Sequence, residues 1–197
     1  MANTSKSTKI LTSLHGRELG LTKSRALVVA GGVVSGDGLS PGAGTLAGAA
    51  EYRSVVSRIG DIIRTQIFID LAGLGSSTTD LDVIGVGAGV AHIGRITTAV
   101  NGIIFGGRMG CVEAPTTGVT DIDLYSATVG TAVFDDLITA LTETALLTAG
   151  AAWTRTSKVL TLLPAANEYL YLVNGAAGTV GTYATGQFVI ELDGYAV

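Results

Sequence analysis

Polar and apolar residues alternate along short segments through most of the chain after residue 51. The clearest case is residues 64–71 (RTQIFIDL), where every second side chain falls on the same face of an extended backbone. This pattern predicts a half-buried β-strand. We expect its inner face to carry Thr65, Ile67, Ile69 and Leu71. Seven further segments show the same period: 81–86, 95–100, 103–105, 122–125, 158–163, 169–173 and 187–192.

Two Asn-Gly dipeptides follow such segments, Asn101-Gly102 and Asn174-Gly175. A two-residue hairpin loop of type I′ needs positive φ at both central residues, which Asn and Gly tolerate. We therefore predict a hairpin at each dipeptide. Many short strands joined by such turns are typical of an antiparallel β-sandwich or barrel. The sequence accordingly predicts an all-β fold.

One helix is predicted within this β pattern, over residues 135–150. Asp135 and Asp136 supply the negative charge that favours a first helical turn, and apolar residues recur four positions apart after them. Gly150 is suited to end the helix. The threonines in the segment favour helix weakly, so we expect at most one or two short helices in the whole chain.

Residues 1–50 differ from the rest of the chain, because seven glycines lie from Gly31 to Gly48 and no strand or helix period is visible there. Such a segment is either a flexible linker or an extended arm whose backbone groups pair with a neighbouring subunit. Its apolar residues favour the arm, and residues 51–197 then form the β domain. Alternatively, the strand-like pieces complete the sheet of their own chain. The candidate contacts of the arm are Leu19, Leu21, Leu27, Val28, Val29, Val33, Val34, Leu39 and Leu46.

Two pairs of segments resemble each other within the chain. Residues 66–73 (QIFIDLAG) are similar to residues 187–194 (QFVIELDG), and residues 79–83 (TDLDV) are similar to residues 120–124 (TDIDL). Repeat proteins need several units at a fixed period, which these short matches do not supply. We interpret them as strands that bury one face and expose the other in the same way.

The composition excludes several classes of protein. Hydrophobic residues make up 47% of the 197 positions and charged residues 14%, which is too apolar for a disordered chain. A net charge of -4 with a pI near 5.0 disfavours nucleic-acid binding. Apolar stretches such as 26–36 are too short for a membrane-spanning helix, so we expect a soluble chain. Cys111 is the single cysteine and can form no intrachain disulfide.

The side chains that could carry chemistry are few and scattered. His15, His92 and Cys111 have no spacing typical of a zinc site. Two aspartate pairs could offer oxygens to calcium, but alternation predicts that both members of each pair lie on the solvated face of a strand. These pairs are Asp80 with Asp82 and Asp121 with Asp123. We therefore predict no catalytic residue, no cofactor and no bound metal.

Glycines and aromatic residues offer two further hypotheses. Gly85, Gly87 and Gly89 follow an apolar segment, but their spacing is wrong for a dinucleotide-binding loop and no helical pattern follows. Trp153, with Tyr169 and Tyr171, could form a platform for a sugar. Packing in the core or at an interface is the commoner role for such residues, and we favour it.

Several phrases of the sequence resemble virion structural proteins of tailed, largely marine, bacteriophages. They are IFIDLAGL (67–74), ITTAVNGIIFGG (96–107), TDIDLYSAT (120–128), ALTETALLTAGAAWT (140–154), PAANEYLYLVNGAAGTVGTYATGQFVIELDGY (164–195) and the leading SLHGRELGL (13–21). The resemblance extends over about two-thirds of the chain. Its phrases contain no catalytic motif.

The resemblance implies a jelly-roll-like β-sandwich that binds the capsid exterior as a decoration, or cement, protein. The expected partners are the phage major capsid protein and other copies of the chain, as a homotrimer, because closed symmetry is usual and capsid lattices offer threefold sites. Nucleic acid and membrane are not expected partners. The expected location is the virion exterior, after assembly in the host cytoplasm. The alternatives are a tail or fibre-associated glycan-binding module and a β-type hydrolase.

Overall fold

The computed structural model describes residues 19–21, 27–29 and 34–197, with side chains from residue 38 onward. Antiparallel β-structure dominates this part of the chain, and its helices are short. None of those helices has the length and apolar character needed to cross a bilayer. The prediction of an all-β, antiparallel fold with at most one or two short helices is confirmed, and the described residues contain two short α-helices.

The elements follow one another along the chain in this order: β1 (Leu19–Leu21), β2 (Leu27–Val29), β3 (Val34–Asp37), α1 (Ala43–Leu46), β4 (Glu51–Ile59), β5 (Ile62–Asp70), β6 (Gly75–Ser76), β7 (Gly94–Arg95), α2 (Thr98–Asn101), β8 (Ile103–Thr116), β9 (Ile122–Ala127), a 3₁₀ turn (Ile138–Ala140), β10 (Glu143–Leu147), β11 (Ser157–Val159), β12 (Tyr169–Asn174), β13 (Gly181–Thr182) and β14 (Thr185–Tyr195). An eight-stranded sheet has the order β1-β2-β3-β4-β5-β14-β8-β11. A four-stranded sheet has the order β10-β9-β12-β7, and β13 pairs with β6.

One hydrophobic core contains side chains from the inner faces of both larger sheets. In β5 the residues that the alternation placed inside are buried, and Ile67 and Ile69 are fully so. Burying an aliphatic or aromatic side chain of this size contributes about 1.5–3 kcal/mol. On the four-stranded sheet, β9 is buried along its whole length. Trp153 packs edge to face on Phe188 of β14, with ring centroids 5.4 Å apart.

The first pair of similar segments forms two neighbouring strands. β5 and β14 lie side by side in the middle of the eight-stranded sheet, with Gln66 opposite Glu191 and Ile67 opposite Ile190. The two segments therefore bury the same face of one sheet. The second pair behaves differently. Residues 120–124 lead into β9, whereas residues 79–83 make isolated bridges at Asp82 and Val83.

Four of the eight predicted strands lie wholly within observed ones: 103–105, 122–125, 169–173 and 187–192 lie within β8, β9, β12 and β14. A fifth, 64–71, lies in β5 except for its last residue. Residues 158–163 are strand only at their start, in β11. The strands predicted at 81–86 and 95–100 are wrong. Residues 81–86 form isolated bridges but no continuous strand. Residues 95–100 contain the last residue of β7 and then the first three residues of α2.

The helix predicted over residues 135–150 is also wrong. Asp135 has a left-handed backbone with φ 72°, and a carboxylate oxygen of Asp136 accepts a hydrogen bond from the Val133 amide instead of capping a helix. A 3₁₀ turn follows, and then β10 pairs with β9 and buries Leu146 and Leu147. Pairing with a buried neighbouring strand outweighs a weak helical pattern that contains several threonines.

Neither Asn-Gly dipeptide forms the predicted hairpin. Asn101 ends α2 with its side chain buried, where the amide donates to Thr65 Oγ1 at 2.8 Å and accepts from the Thr97 amide. Asn174 is the last residue of β12. A two-residue connection does occur between β4 and β5, where Ile59 pairs with Ile62 and Gly60 has φ 59°. The sequence pattern did not predict this turn.

Residues 38–50 pack on their own domain, so the arm predicted over residues 1–50 is too long. Leu39 is 8% exposed and belongs to the main core, whereas Leu46 on α1 is exposed. The amides of Gly42 and Gly44 donate to the carbonyls of His92 and Val90, each at 2.8 Å. A Cβ on Gly44 would lie 2.2 Å from the Gly89 carbonyl oxygen, so this approach requires glycine.

The backbone of the other candidate arm residues extends the large sheet where it is described. Leu19 and Leu21 lie in β1, residues 27–29 form β2, and β3 begins at Val34. β3 pairs antiparallel with β4, and β2 pairs with both β1 and β3. Val33 lies outside the described residues. This arrangement matches the alternative in which the N-terminal pieces complete their own sheet.

Candidate interaction surface

The outer face of the eight-stranded sheet is accessible across β4, β5, β14 and β8. On β5 and β14 the residues opposite the core are exposed or half-buried and alternate with buried neighbours. No residue of β4 is buried, and β8 buries only Met109, Cys111 and Pro115. The face is broad, because adjacent strands lie about 4.8 Å apart and nine residues extend about 30 Å. Four strands therefore present roughly 600 Å².

A charged ladder crosses the middle of this face. Its members are Arg64 and Gln66 on β5, Glu191 and Asp193 on β14, and Arg108 on β8. Arg64 Nε donates to Asp193 Oδ1 at 2.8 Å, and Gln66 Nε2 donates to Glu191 Oε1 at 2.7 Å. Arg108 Nε donates to the other carboxylate oxygen of Glu191. The antiparallel register places each pair directly opposite, which brings the side chains within reach.

Electrostatics within the ladder favour the charged forms. The hydrogen bond from Arg108 lowers the pKa of Glu191 below its ordinary value. The hydrogen bond to Asp193 raises the pKa of Arg64. Exposed ion pairs contribute about 0–1 kcal/mol to stability, so the ladder adds little to the fold. It does fix long side chains in one arrangement and thereby defines the chemical pattern of the surface.

Two grooves flank the ladder. A groove of about 440 Å³ lies where β8 meets β11, and its lining includes Arg108, Arg155, Val112 and Val189. A second groove of about 460 Å³ lies over the β4–β5 hairpin. Its lining residues are Ser57, Ile59, Ile62, Arg64 and Gln66. The outer face is therefore contoured, with apolar and charged side chains in each groove.

The aspartate pairs do not lie on solvated strand faces as predicted. Asp82 is 5% exposed and accepts a hydrogen bond from Ser77 Oγ, and Asp123 is 4% exposed. Asp123 Oδ1 accepts from the Ala149 amide at 2.6 Å. Asp80 alone of the four is exposed. The prediction failed because 79–83 is not a strand and because β9, which contains Asp123, is covered on both faces.

The pKa of Asp123 is raised to about 6, chiefly by burial. The carboxylates of Asp121 and Asp80 also raise it, whereas the hydrogen bond from the Ala149 amide and the charge of Lys158 lower it. Asp121 Oδ1 is buried and has no hydrogen-bond partner among the described residues. A Cβ on Gly175 would lie 2.7 Å from Oδ1 of both Asp121 and Asp123. The two carboxylates therefore crowd the same small space.

Chemistry at the remaining candidates is restricted by burial. Within the described part of the chain, no group of three or more His, Cys, Asp or Glu side chains is arranged to hold a metal ion. Burial raises the pKa of the Cys111 thiol and lowers that of His92, whose ring lies 5.0 Å from the Tyr169 ring. His15 lies outside the described residues.

The aromatic residues pack in the interior, as favoured from the sequence. Trp153 is 3% exposed, and its Nε1 donates to the Ile122 carbonyl at 2.7 Å. Tyr171 is fully buried, and its hydroxyl donates to the Val129 carbonyl. Tyr169 alone is half-buried. These three residues offer no flat exposed platform for a sugar.

Gly85 and Gly89 allow close packing, whereas Gly87 serves a turn. A Cβ on Gly85 would lie 2.6 Å from Ala91 Cβ, and one on Gly89 would lie 2.7 Å from the Gly44 amide nitrogen. Gly89 therefore accepts the segment around α1. Gly87 has φ 61° and open space where a Cβ would lie. No helix begins directly after these glycines to bind a pyrophosphate.

The sequence pattern alone did not predict the interaction surface. Its charged residues do alternate along residues 64–70 and 187–193, which was a usable signal, but the pairing register was not known. Comparison of the chain with protein-family models, with curated proteins and with solved structures finds no match.

Proposed function

We propose that this chain is a non-enzymatic virion structural protein of a tailed bacteriophage, and that it decorates and stabilises the capsid shell from outside. The observation that carries the proposal is the accessible outer face of the eight-stranded sheet, with its charged ladder and two grooves. The sequence phrases that resemble phage virion proteins support the same function. Several of them fall in β5, β9, β12 and β14.

The dimensions and chemistry of this face suit a protein partner. A stable interface buries about 800 Å² on each side, and the charged ladder with the groove beside β11 supplies part of that area. Cations and anions alternate across the ladder, so a complementary protein surface can align with it in one orientation. The major capsid protein is the partner that we propose.

The proposal includes three finer features. The domain has a jelly-roll-like arrangement, the chain assembles as a homo-oligomer with closed symmetry such as a trimer, and the residues before β3 contact a neighbouring subunit. The apolar residues of this segment, among them Leu19, Leu21 and Val28, support the last feature, because a solvated linker has little use for them. A tail or fibre-associated glycan-binding module has less support, because Trp153 and Tyr171 are buried.

Cryo-EM of the native virion tests the location directly. We expect density for this domain on the capsid exterior with the outer face of the large sheet toward the shell. Density confined to the tail, or a domain whose outer face points to solvent, would contradict the proposal.

A binding assay with shells stripped of the chain tests the surface. We expect the double variant Arg64→Glu with Arg108→Glu to lower shell occupancy at least tenfold. Arg95→Glu is the matched control, because Arg95 is exposed at the edge of the other sheet. Equal occupancy of the double variant and wild type would refute the assigned surface, provided that circular dichroism shows both folded.

A further inference from the structure

Apolar side chains form a row across one end of the large sheet. Ile59 of β4 pairs with Ile62 of β5, Ile62 pairs with Tyr195 of β14, and Tyr195 pairs with Ile103 of β8. Residues directly opposite each other in antiparallel strands project from the same face. The neighbouring residue Ile63 is buried on the inner face, so the row lies on the outer one.

Phe105 extends this row. Its ring stacks on Tyr195 with centroids 4.2 Å apart and planes inclined by 24°. We call Ile59, Ile62, Ile103, Phe105 and Tyr195 the apolar row. Their exposed fractions lie between 39% and 67%, although all five are large and apolar or aromatic.

The exposed area of the apolar row is that of a typical largest apolar patch on a protein surface. Side chains of this size present roughly 150–250 Å² each, so the row leaves on the order of 500 Å² in contact with water. The largest apolar patch on a monomer is about 300–600 Å², and such patches are often binding sites. The row is therefore a candidate contact surface for another protein.

We propose that the apolar row is the surface through which copies of this chain contact one another. A stable interface needs about 800 Å² from each partner, and an apolar centre of about 500 Å² with its polar surroundings meets that need. In a closed oligomer the equivalent rows converge on the symmetry axis, where apolar surface meets apolar surface.

The charges beside the row suit a second copy better than a strongly charged partner. Arg64 pairs with Asp193 at 2.8 Å, one step along the outer face from Ile62 and Tyr195. This pair contains one cation and one anion, so it adds no net charge beside the row. A second copy presents the same uncharged apolar surface, whereas a strongly charged partner gains nothing from it.

The apolar row lies at one end of the outer face of the large sheet, and the charged ladder lies in the middle of that face. We assign the row to contacts between copies and the ladder to the shell. This inference rests on one part of the proposed function, the homo-oligomer, and not on attachment to a capsid. Self-association can therefore be tested with the purified chain, independently of any virion.

Light scattering coupled to size-exclusion chromatography gives the first test. We expect full-length wild type to be an oligomer, and Ile59→Lys or Ile103→Lys to raise its dissociation constant at least tenfold. Val180→Lys is the matched control, because Val180 is similarly exposed, at 61%, but lies outside the row. A monomeric wild type, or row variants with the oligomer mass of wild type, would overturn the inference.

Cross-linking gives a second test that does not depend on folding of a charged variant. Ile62 lies in the middle of the row, and the natural Cys111 is buried. We expect Ile62→Cys to form a covalent dimer with a short bis-maleimide, while Val180→Cys remains monomeric in denaturing gels. Equal cross-linking of the two variants would contradict a contact at the row.

Discussion

Asp123→Asn is expected to stabilise the protein at neutral pH. Asp123 is 4% exposed, and burial is the main reason that its pKa rises from 3.8 to about 6. Asparagine keeps an oxygen that can accept the hydrogen bond from the Ala149 amide. It removes a buried negative charge that the carboxylates of Asp121 and Asp80 repel. The variant should therefore lose an electrostatic cost and retain the local geometry.

The magnitude and its pH dependence follow from proton linkage. The folded chain binds the Asp123 proton more tightly than the unfolded chain, so proton binding stabilises the folded wild type at low pH. This stabilisation is lost as the pH rises from about 4 through about 6. A shift of this size corresponds to roughly 2–3 kcal/mol at pH 7.5. The asparagine side chain of the variant does not titrate, so its advantage should vanish below pH 4.

Urea unfolding measured from pH 4 to pH 8 checks this expectation. We expect the free energies of unfolding of Asp123→Asn and wild type to converge at pH 4 and to differ by about 2 kcal/mol at pH 7.5. Asp61→Asn serves as a control, because Asp61 is exposed in the β4–β5 turn. A variant less stable than wild type at pH 7.5, or a difference that does not change with pH, would refute the reasoning.

Three further predictions concern packing. The chain without residues 1–33 should still unfold cooperatively on heating. The chain without residues 1–45 also lacks the buried Leu39, so its free energy of unfolding should be lower than that of the full chain by more than about 3 kcal/mol. Gly175→Ala should cost about 1–3 kcal/mol in chemical denaturation, since its Cβ would crowd two carboxylates; an unchanged midpoint would contradict this. Trp153→Phe should cost about 1–3 kcal/mol, because the Ile122 carbonyl loses its donor; calorimetry that shows equal melting temperatures would argue against that role.

Local patterns in the sequence predicted the strands that bury one face. The alternation in residues 64–71 identified both β5 and its inner residues, and the similar segment at 187–194 identified β14. Such patterns work where one face meets the core and the other meets water. In β9 the alternation predicted the strand but wrongly assigned one of its faces to solvent, so the burial of Asp123 was not foreseen.

The interaction surface could not be predicted because it depends on register. Ile59 and Ile62 are neighbours in sequence, but Tyr195 and Ile103 join them through pairing between strands that are distant along the chain. A shift of one residue in either register would turn the partner side chain to the opposite face. The glycines near α1 illustrate the same difficulty, since their role is defined by the segment that approaches them.

The central position of β14 has a consequence for how the protein folds during synthesis. β5 must wait for a partner far along the chain, since Asp70 and Gln187 are joined by a hydrogen bond across 117 positions. Closing a loop of that length costs about 4 kcal/mol in chain entropy. Until β14 is made, one edge of β5 is open to pairing with other nascent chains. We therefore expect slow folding, in the millisecond to second range typical of non-local β topologies, with a window of aggregation before the large sheet is complete.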